Sequence, residues 1–101
     1  MKKAGIDPKD PHANKLSRED VIRLYSEGKS FAMKNLSKLD LSNLDLSGID
    51  LSMANCKESN FKNTDLSGAK FEQTNFNKTD FTHAKLISVK AQMCNFKESV
   101  F

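Results

Sequence analysis

From Asn35 to the C-terminus, a large apolar residue recurs at every fifth position. The series Leu36, Leu41, Leu46, Leu51, Cys56, Phe61, Leu66, Phe71, Phe76, Phe81, Leu86, Ala91, Phe96 and Phe101 carries Leu or Phe at twelve of fourteen sites. Neither common element has this period. An α-helix advances about 100° per residue, so successive members of the series would be rotated by roughly 140° and would share no face. On one continuous strand an odd period alternates between the two faces of the sheet. The pattern therefore predicts a chain that turns at regular intervals, each pentad pointing its apolar residue inward from a new side. That is an all-β solenoid.

Written as pentads from Lys34, the chain reads KNLSK, LDLSN, LDLSG, IDLSM, ANCKE, SNFKN, TDLSG, AKFEQ, TNFNK, TDFTH, AKLIS, VKAQM, CNFKE and SVF. Asp or Asn stands second in ten of them; Lys70, Lys85, Lys90 and Val100 are the exceptions. This resembles the pentapeptide-repeat family, whose unit is A(D/N)LXX. The resemblance implies a right-handed quadrilateral β-helix of about three and a half coils over residues 34–101, four pentads to each coil of twenty residues. It also implies that the central residue and the one two places before it point inward. The latter position is mostly small: Ala54, Ser59, Thr64, Ala69, Thr74, Thr79, Ala84, Cys94 and Ser99. Small side chains let coils stack at the roughly 4.8 Å spacing of paired strands. Leu39, Leu44 and Ile49 depart from the rule, all in the first coil, which suggests a coil widened to meet a cap. Ala91 underfills its site beside an overfilling Val89, a volume exchange within one pentad.

A twenty-residue coil also predicts columns. Phe61, Phe81 and Phe101 fall on one side, and Leu46, Leu66 and Leu86 on another. Outside, Asn35, Asn55, Asn75 and Asn95 form a column suited to a ladder of side-chain amides. Lys38, Glu58, Lys78 and Glu98 form another, with alternating sign.

Residues 1–15 are polar, hold both prolines and show no periodicity, which predicts a disordered tail. Residues 16–31 read as a capping segment. Ser17 is an N-cap with Glu19 and Asp20 in the first turn, Leu16 and Val21 make a hydrophobic staple, and Gly28 stops the helix. Val21, Leu24 and Tyr25 share a face that Ile22 broadens. A helix this short is marginal alone and needs the open end of the first coil to cover, while Phe31 joins the five-residue register.

Charge and chemistry then narrow the function. The repeats carry nine Lys against five Asp and three Glu, with no Arg and no clustered basic track, so nucleic acid is not an expected partner. No stretch approaches membrane-spanning length and no signal peptide is visible, which points to a cytoplasmic protein without a membrane partner. Cys56 and Cys94 lie two coils apart, roughly 9–10 Å, beyond disulfide reach, and are expected to be reduced thiols. His12 and His83 have no ligand spacing to them, and the outward acids Asp40, Asp45, Asp50 and Asp65 cannot converge. No catalytic, cofactor or metal site is expected, and the chain reads as non-enzymatic: a structural or protein–protein interaction module whose partner is unspecified. Among the roles the resemblance implies are gyrase binding by DNA mimicry, as in the quinolone-resistance proteins, and secretion as an effector. Mimicry uses a long acidic rod, unlike this short, slightly basic one. The candidate interface is the last coil, with Phe96, Val100 and Phe101 beside an unpaired edge, through which two copies would meet in an isologous dimer.

Overall fold

The computed structural model describes residues 15–101. The expectation for the tail lies outside them, apart from Lys15, which is paired with Asn35. Each pentad makes a tight turn and then one extended residue, and that residue pairs in parallel with the one twenty positions on. Four columns result: Asn35–Asn55–Asn75–Asn95, Asp40–Asn60–Asp80–Val100, Asp45–Asp65–Lys85 and Asp50–Lys70–Lys90. The coil is thus four-sided. Its β-structure consists of single bridging residues, because a turn interrupts the backbone every fifth position.

The hydrogen bonds between coils repeat with the pentad. The central N–H and the N–H two residues later both donate to the following coil, as in Leu66 to Lys85 O at 2.9 Å and Gly68 to Ile87 O at 2.8 Å. The residue before the centre donates to the preceding coil, as in Asp65 N–H to Leu44 O at 2.9 Å. Within most pentads the central carbonyl accepts from three residues on, closing a β-turn such as Leu66 O to Ala69 N–H at 3.0 Å. The third residue of every such turn is left-handed, with φ of 73–74° at Gly48 and Gly68 and 58–61° at Glu58, Asn63 and His83. That conformation costs a non-glycine residue about 1–2 kcal/mol, so the inter-coil bonds on either side must hold it.

Asp or Asn in second position has a local cause. In all ten pentads that have one, its side-chain Oδ1 accepts the backbone N–H two residues on, from Ser37 to Asn35 at 3.0 Å through Lys97 to Asn95 at 2.9 Å. This is an Asx-turn, which fixes the entry into the corner. The predicted amide ladder does not form. The Asn oxygens are used within their own pentads, and no hydrogen bond links the side chains of Asn35, Asn55, Asn75 and Asn95. In the alternating column, Lys38–Glu58 and Lys78–Glu98 do pair, each at 4.0 Å.

The core is the series of central residues from Phe31 to Phe81, every one buried, with the small inward residues between them. Phe61, Phe81 and Phe101 stack in one column with ring centroids 5.5 and 5.1 Å apart, and Phe76 stacks on Phe96 at 5.4 Å. Edge-to-face contacts cross-link the columns, including Phe76–Phe81 at 5.0 Å. The buried hydroxyls are all satisfied. Ser59, Thr64, Thr74 and Thr79 donate to the central carbonyls of Leu36, Leu41, Leu51 and Cys56 in the preceding coil, at 2.6–2.9 Å. Leu39 and Leu44 carry the bulk predicted to widen the first coil. Both are half-buried, whereas Ile49, expected to act with them, is buried and closes its turn to Leu46 O at 3.1 Å; the turns that should close at Leu36 O and Leu41 O lack their backbone bond. The hydroxyls of Ser59 and Thr64 are then the partners those carbonyls have.

Helix α1 (Arg18–Ser26) is nine residues long and capped at both ends. Ser17 and Asp20 form a reciprocal capping box, with Asp20 N–H to Ser17 Oγ at 3.1 Å and Ser17 N–H to Asp20 Oδ2 at 3.0 Å. At the other end, Gly28 N–H to Tyr25 O and Lys29 N–H to Leu24 O make a Schellman motif around a left-handed Gly28. Val21 is buried, and Leu16, Leu24 and Tyr25 pack beside it against the core. Ile22 corrects the expected face. It is 43 % exposed, one step of about 100° round the helix from Val21.

The two ends of the coil as candidate interaction sites

Parallel pairing gives the solenoid two chemically different ends. At the N-terminal end, the outward-facing groups are the carbonyls of the extended residues and of those two places later. Leu16 N–H donates to Asn35 O at 2.9 Å, Arg18 Nη1 to Asp40 O at 2.8 Å, and Tyr25 Oη to Ser47 O at 2.7 Å. Lys15 Nζ donates to Ser37 O. Phe31 and Met33 N–H reach Asp50 O and Ser52 O at 3.0 and 2.9 Å. Among the described residues, the segment over the first coil thus supplies donors to six of its eight outward carbonyls, leaving Ser42 O and Asp45 O without one. Sequence reasoning did not anticipate this matching. One signal was available, since Leu16 lies twenty residues before Leu36 and enters in register.

At the C-terminal end, the central and second-following N–H groups from Leu86 to Phe101 have no acceptor among the described residues. Of the carbonyls that would serve a next coil, Ala84, Val89, Cys94 and Ser99 are likewise free. The structure separates the three predicted interface residues. Phe96 is half-buried and Phe101 is 64 % exposed; the rings meet edge to face at 5.4 Å, and both lie on the axial end. Val100 instead occupies the outward column of Asp40, Asn60 and Asp80, so it borders the end without lining it. Leu86, Val89 and Cys94, partly buried against the core, complete the apolar end and were not among the predicted residues.

The sides carry little chemistry. Asp40 and Asp80 are held below the ordinary carboxylate value, first by the hydroxyls of Ser42 and Thr82. Asp50 and Asp65 are lowered first by the backbone N–H groups of Ser52 and Ser67. These acids are committed to turns. Burial pushes the Cys56 thiol far up, and both cysteines are free. No group of three or more His, Cys, Asp or Glu among the described residues is placed to hold a metal, and no described helix is long and apolar enough to cross a membrane.

The family model described as Pentapeptide repeats (8 copies) matches residues 35–68 and 64–101. The chain belongs to the pentapeptide-repeat family. A search of curated proteins finds no match. Among solved structures, the pentapeptide-repeat protein Rfr23 from the cyanobacterium Cyanothece 51142 is similar at 26% identity and a TM-score of 0.59, over 68% of this chain and 54% of that one. The chain thus spans about half the length of that relative. The protein alr5209 from Nostoc PCC 7120 is 29% identical with a TM-score of 0.49, over 82% of this chain and 74% of that one. HetL from Nostoc sp. strain PCC 7120, involved in heterocyst differentiation regulation, is 28% identical with a TM-score of 0.42, over 78% of this chain and 32% of that one. Membership makes the fold a right-handed β-helix solenoid, and the family consists in general of non-enzymatic structural and interaction modules.

Proposed function

We propose that this pentapeptide-repeat chain is a non-enzymatic protein-interaction module: about three and a half coils closed by α1 at one end and offered to a partner at the other. The supporting observation is the contrast between the ends. α1 and its flanks cover the first coil, while Leu86, Phe96 and Phe101 lie on an axial end whose N–H groups have no partner among the described residues. Unpaired edges next to exposed aromatic residues favour association. Two intact copies meeting there bury both sets of Phe through their rings and leave the excess N–H groups unpaired, which makes the contact weak and reversible. Lys62, Lys78 and Lys97 stand outward on the sides, which disfavours mimicry of a polyanion for gyrase.

Sedimentation of the intact chain across a wide concentration range tests the reading. Association that Phe101→Glu weakens at least tenfold is expected. A monomer at the highest concentration, unchanged by that substitution, overturns it.

A further inference from the structure

Among the described residues, the C-terminal end has two unpartnered N–H groups per pentad for each unpartnered carbonyl, so a twofold contact sets donors against donors. The surface that complements it is the N-terminal end of another coil. We infer that α1, with Lys15 and Leu16 just before it, competes with a second copy of this chain for the same carbonyls, and that this covering segment is what stops the protein from polymerising head to tail.

The register supports this group by group. A second copy turned by a quarter-turn about the axis continues the spiral, with its Phe31 pentad following Phe101. Phe31, Leu36, Leu41 and Leu46 of that copy then lie over Leu86, Ala91, Phe96 and Phe101. Leu36 fills the space that the small Ala91 leaves. The repeating bond pattern pairs Ala91 N–H with Asn35 O, Met93 N–H with Ser37 O and Phe96 N–H with Asp40 O. Those three carbonyls are the ones that Leu16 N–H, Lys15 Nζ and Arg18 Nη1 occupy in the capped chain. Asp40 N–H and Asp45 N–H in turn meet the free Cys94 O and Ser99 O. Helix and second copy are mutually exclusive, and a heterologous contact of this kind does not close.

The inference rests on the C-terminal coil being a contact end, as proposed above. The test keeps all 101 residues. Val21→Asp places a carboxylate where a fully buried Val21 meets the core and should lift α1 away. The expected product is elongated, with an axial repeat of about 4.8 Å. Capped wild-type protein should shorten it at substoichiometric dose, because it adds through its C-terminal end and offers no N-terminal end for growth. Wild-type protein carrying Phe101→Glu should shorten it far less. A folded monomer, or an amorphous aggregate that wild-type protein does not shorten, overturns the inference. If Val21→Asp unfolds the coil itself, the milder pair Arg18→Ala with Tyr25→Phe removes two donors from the covered end. It should raise self-association of the folded chain about tenfold, and no rise counts equally against the idea. Polymers terminated by wild-type protein, together with an intact chain indifferent to Phe101→Glu, would dispose of the twofold contact alone. The reverse pattern would dispose of the competition alone.

Discussion

Thr64 and Thr74 occupy equivalent buried sites one half-coil apart, yet the same substitution should cost different amounts. Each hydroxyl donates to a central carbonyl in the preceding coil, Thr64 to Leu41 O at 2.6 Å and Thr74 to Leu51 O at 2.7 Å. Leu51 O also accepts Ala54 N–H at 2.9 Å, whereas Leu41 O accepts from no backbone N–H. Thr→Val keeps the shape and removes the hydroxyl. At position 74 the carbonyl keeps a partner, and the loss should be about 0.5–1.5 kcal/mol, the net worth of one hydrogen bond. At position 64 it leaves a carbonyl unpaired in a residue with no solvent exposure, and the cost should rise to about 1–3 kcal/mol. For a domain of this size, a difference of about 1 kcal/mol lowers the melting temperature by roughly 4–8 °C. Thermal unfolding followed by circular dichroism, with Thr64→Ser as the control that keeps the hydroxyl, measures it. Equal melting temperatures for the two valine variants would refute the claim that Leu41 O depends on the Thr64 hydroxyl.

Phe81, buried and stacked between Phe61 and Phe101, should tolerate neither truncation nor charge. Phe81→Ala is expected to cost about 3–5 kcal/mol, and Phe81→Asp to abolish folding, read by denaturant titration. Asp65→Asn preserves the acceptor for Ser67 N–H and should be close to neutral, while Asp65→Ala should destabilise measurably; equal effects would remove the Asx explanation. Asp40, Asp50, Asp65 and Asp80 all titrate below their ordinary value of 3.8 in the folded chain, so the folded state binds fewer protons than the unfolded one. Their stabilisation is complete above 3.8 and disappears as pH falls through the lowered values; a denaturation midpoint that stays flat down to about pH 2 would contradict this. With its repeats near neutral, the protein should leave gyrase supercoiling unaffected across a full dose range.

The sequence was most legible where position dictated chemistry. A five-residue period admits few chain paths, so a solenoid with buried centres could be read from spacing, while its four sides, and with them the Phe61–Phe81–Phe101 column, followed from the resemblance to the pentapeptide-repeat family. The helix was legible through Ser17, Asp20 and Gly28, because capping residues act within a few positions of where they stand. Misreadings arose where one residue type has several uses. Asn35, Asn55, Asn75 and Asn95 suggested a ladder between coils, but the backbone N–H two residues on is nearer and already oriented, so the amide oxygen turns inward along its own pentad. Val100 was grouped with Phe96 and Phe101 in the last coil, and spacing already distinguishes it from them. Its place before the centre put it on the side instead, where ten of the other pentads carry Asp or Asn.

The difference between the two ends is harder to read because it lies in the backbone. Any parallel coil with this bond pattern shows an excess of carbonyls at its N-terminal end and an excess of N–H groups at its C-terminal end, whatever side chains it carries. A cover for the first end must therefore donate. The residues that do so here are a lysine, an arginine and a tyrosine, each reaching a carbonyl twenty-two positions later: Lys15 to Ser37, Arg18 to Asp40 and Tyr25 to Ser47. That common offset is the coil period plus the two-residue reach of a long side chain, and it is a pattern to seek upstream of other pentapeptide arrays. A cover for the opposite end must accept, so Asp, Glu, Asn or exposed carbonyls should predominate there. By the same logic, grafting an acidic or amide-rich segment after Phe101 should protect the last coil against hydrogen exchange, whereas a copy of α1, rich in donors, should not. Equal protection by both segments would mean that apolar cover alone decides how a solenoid ends.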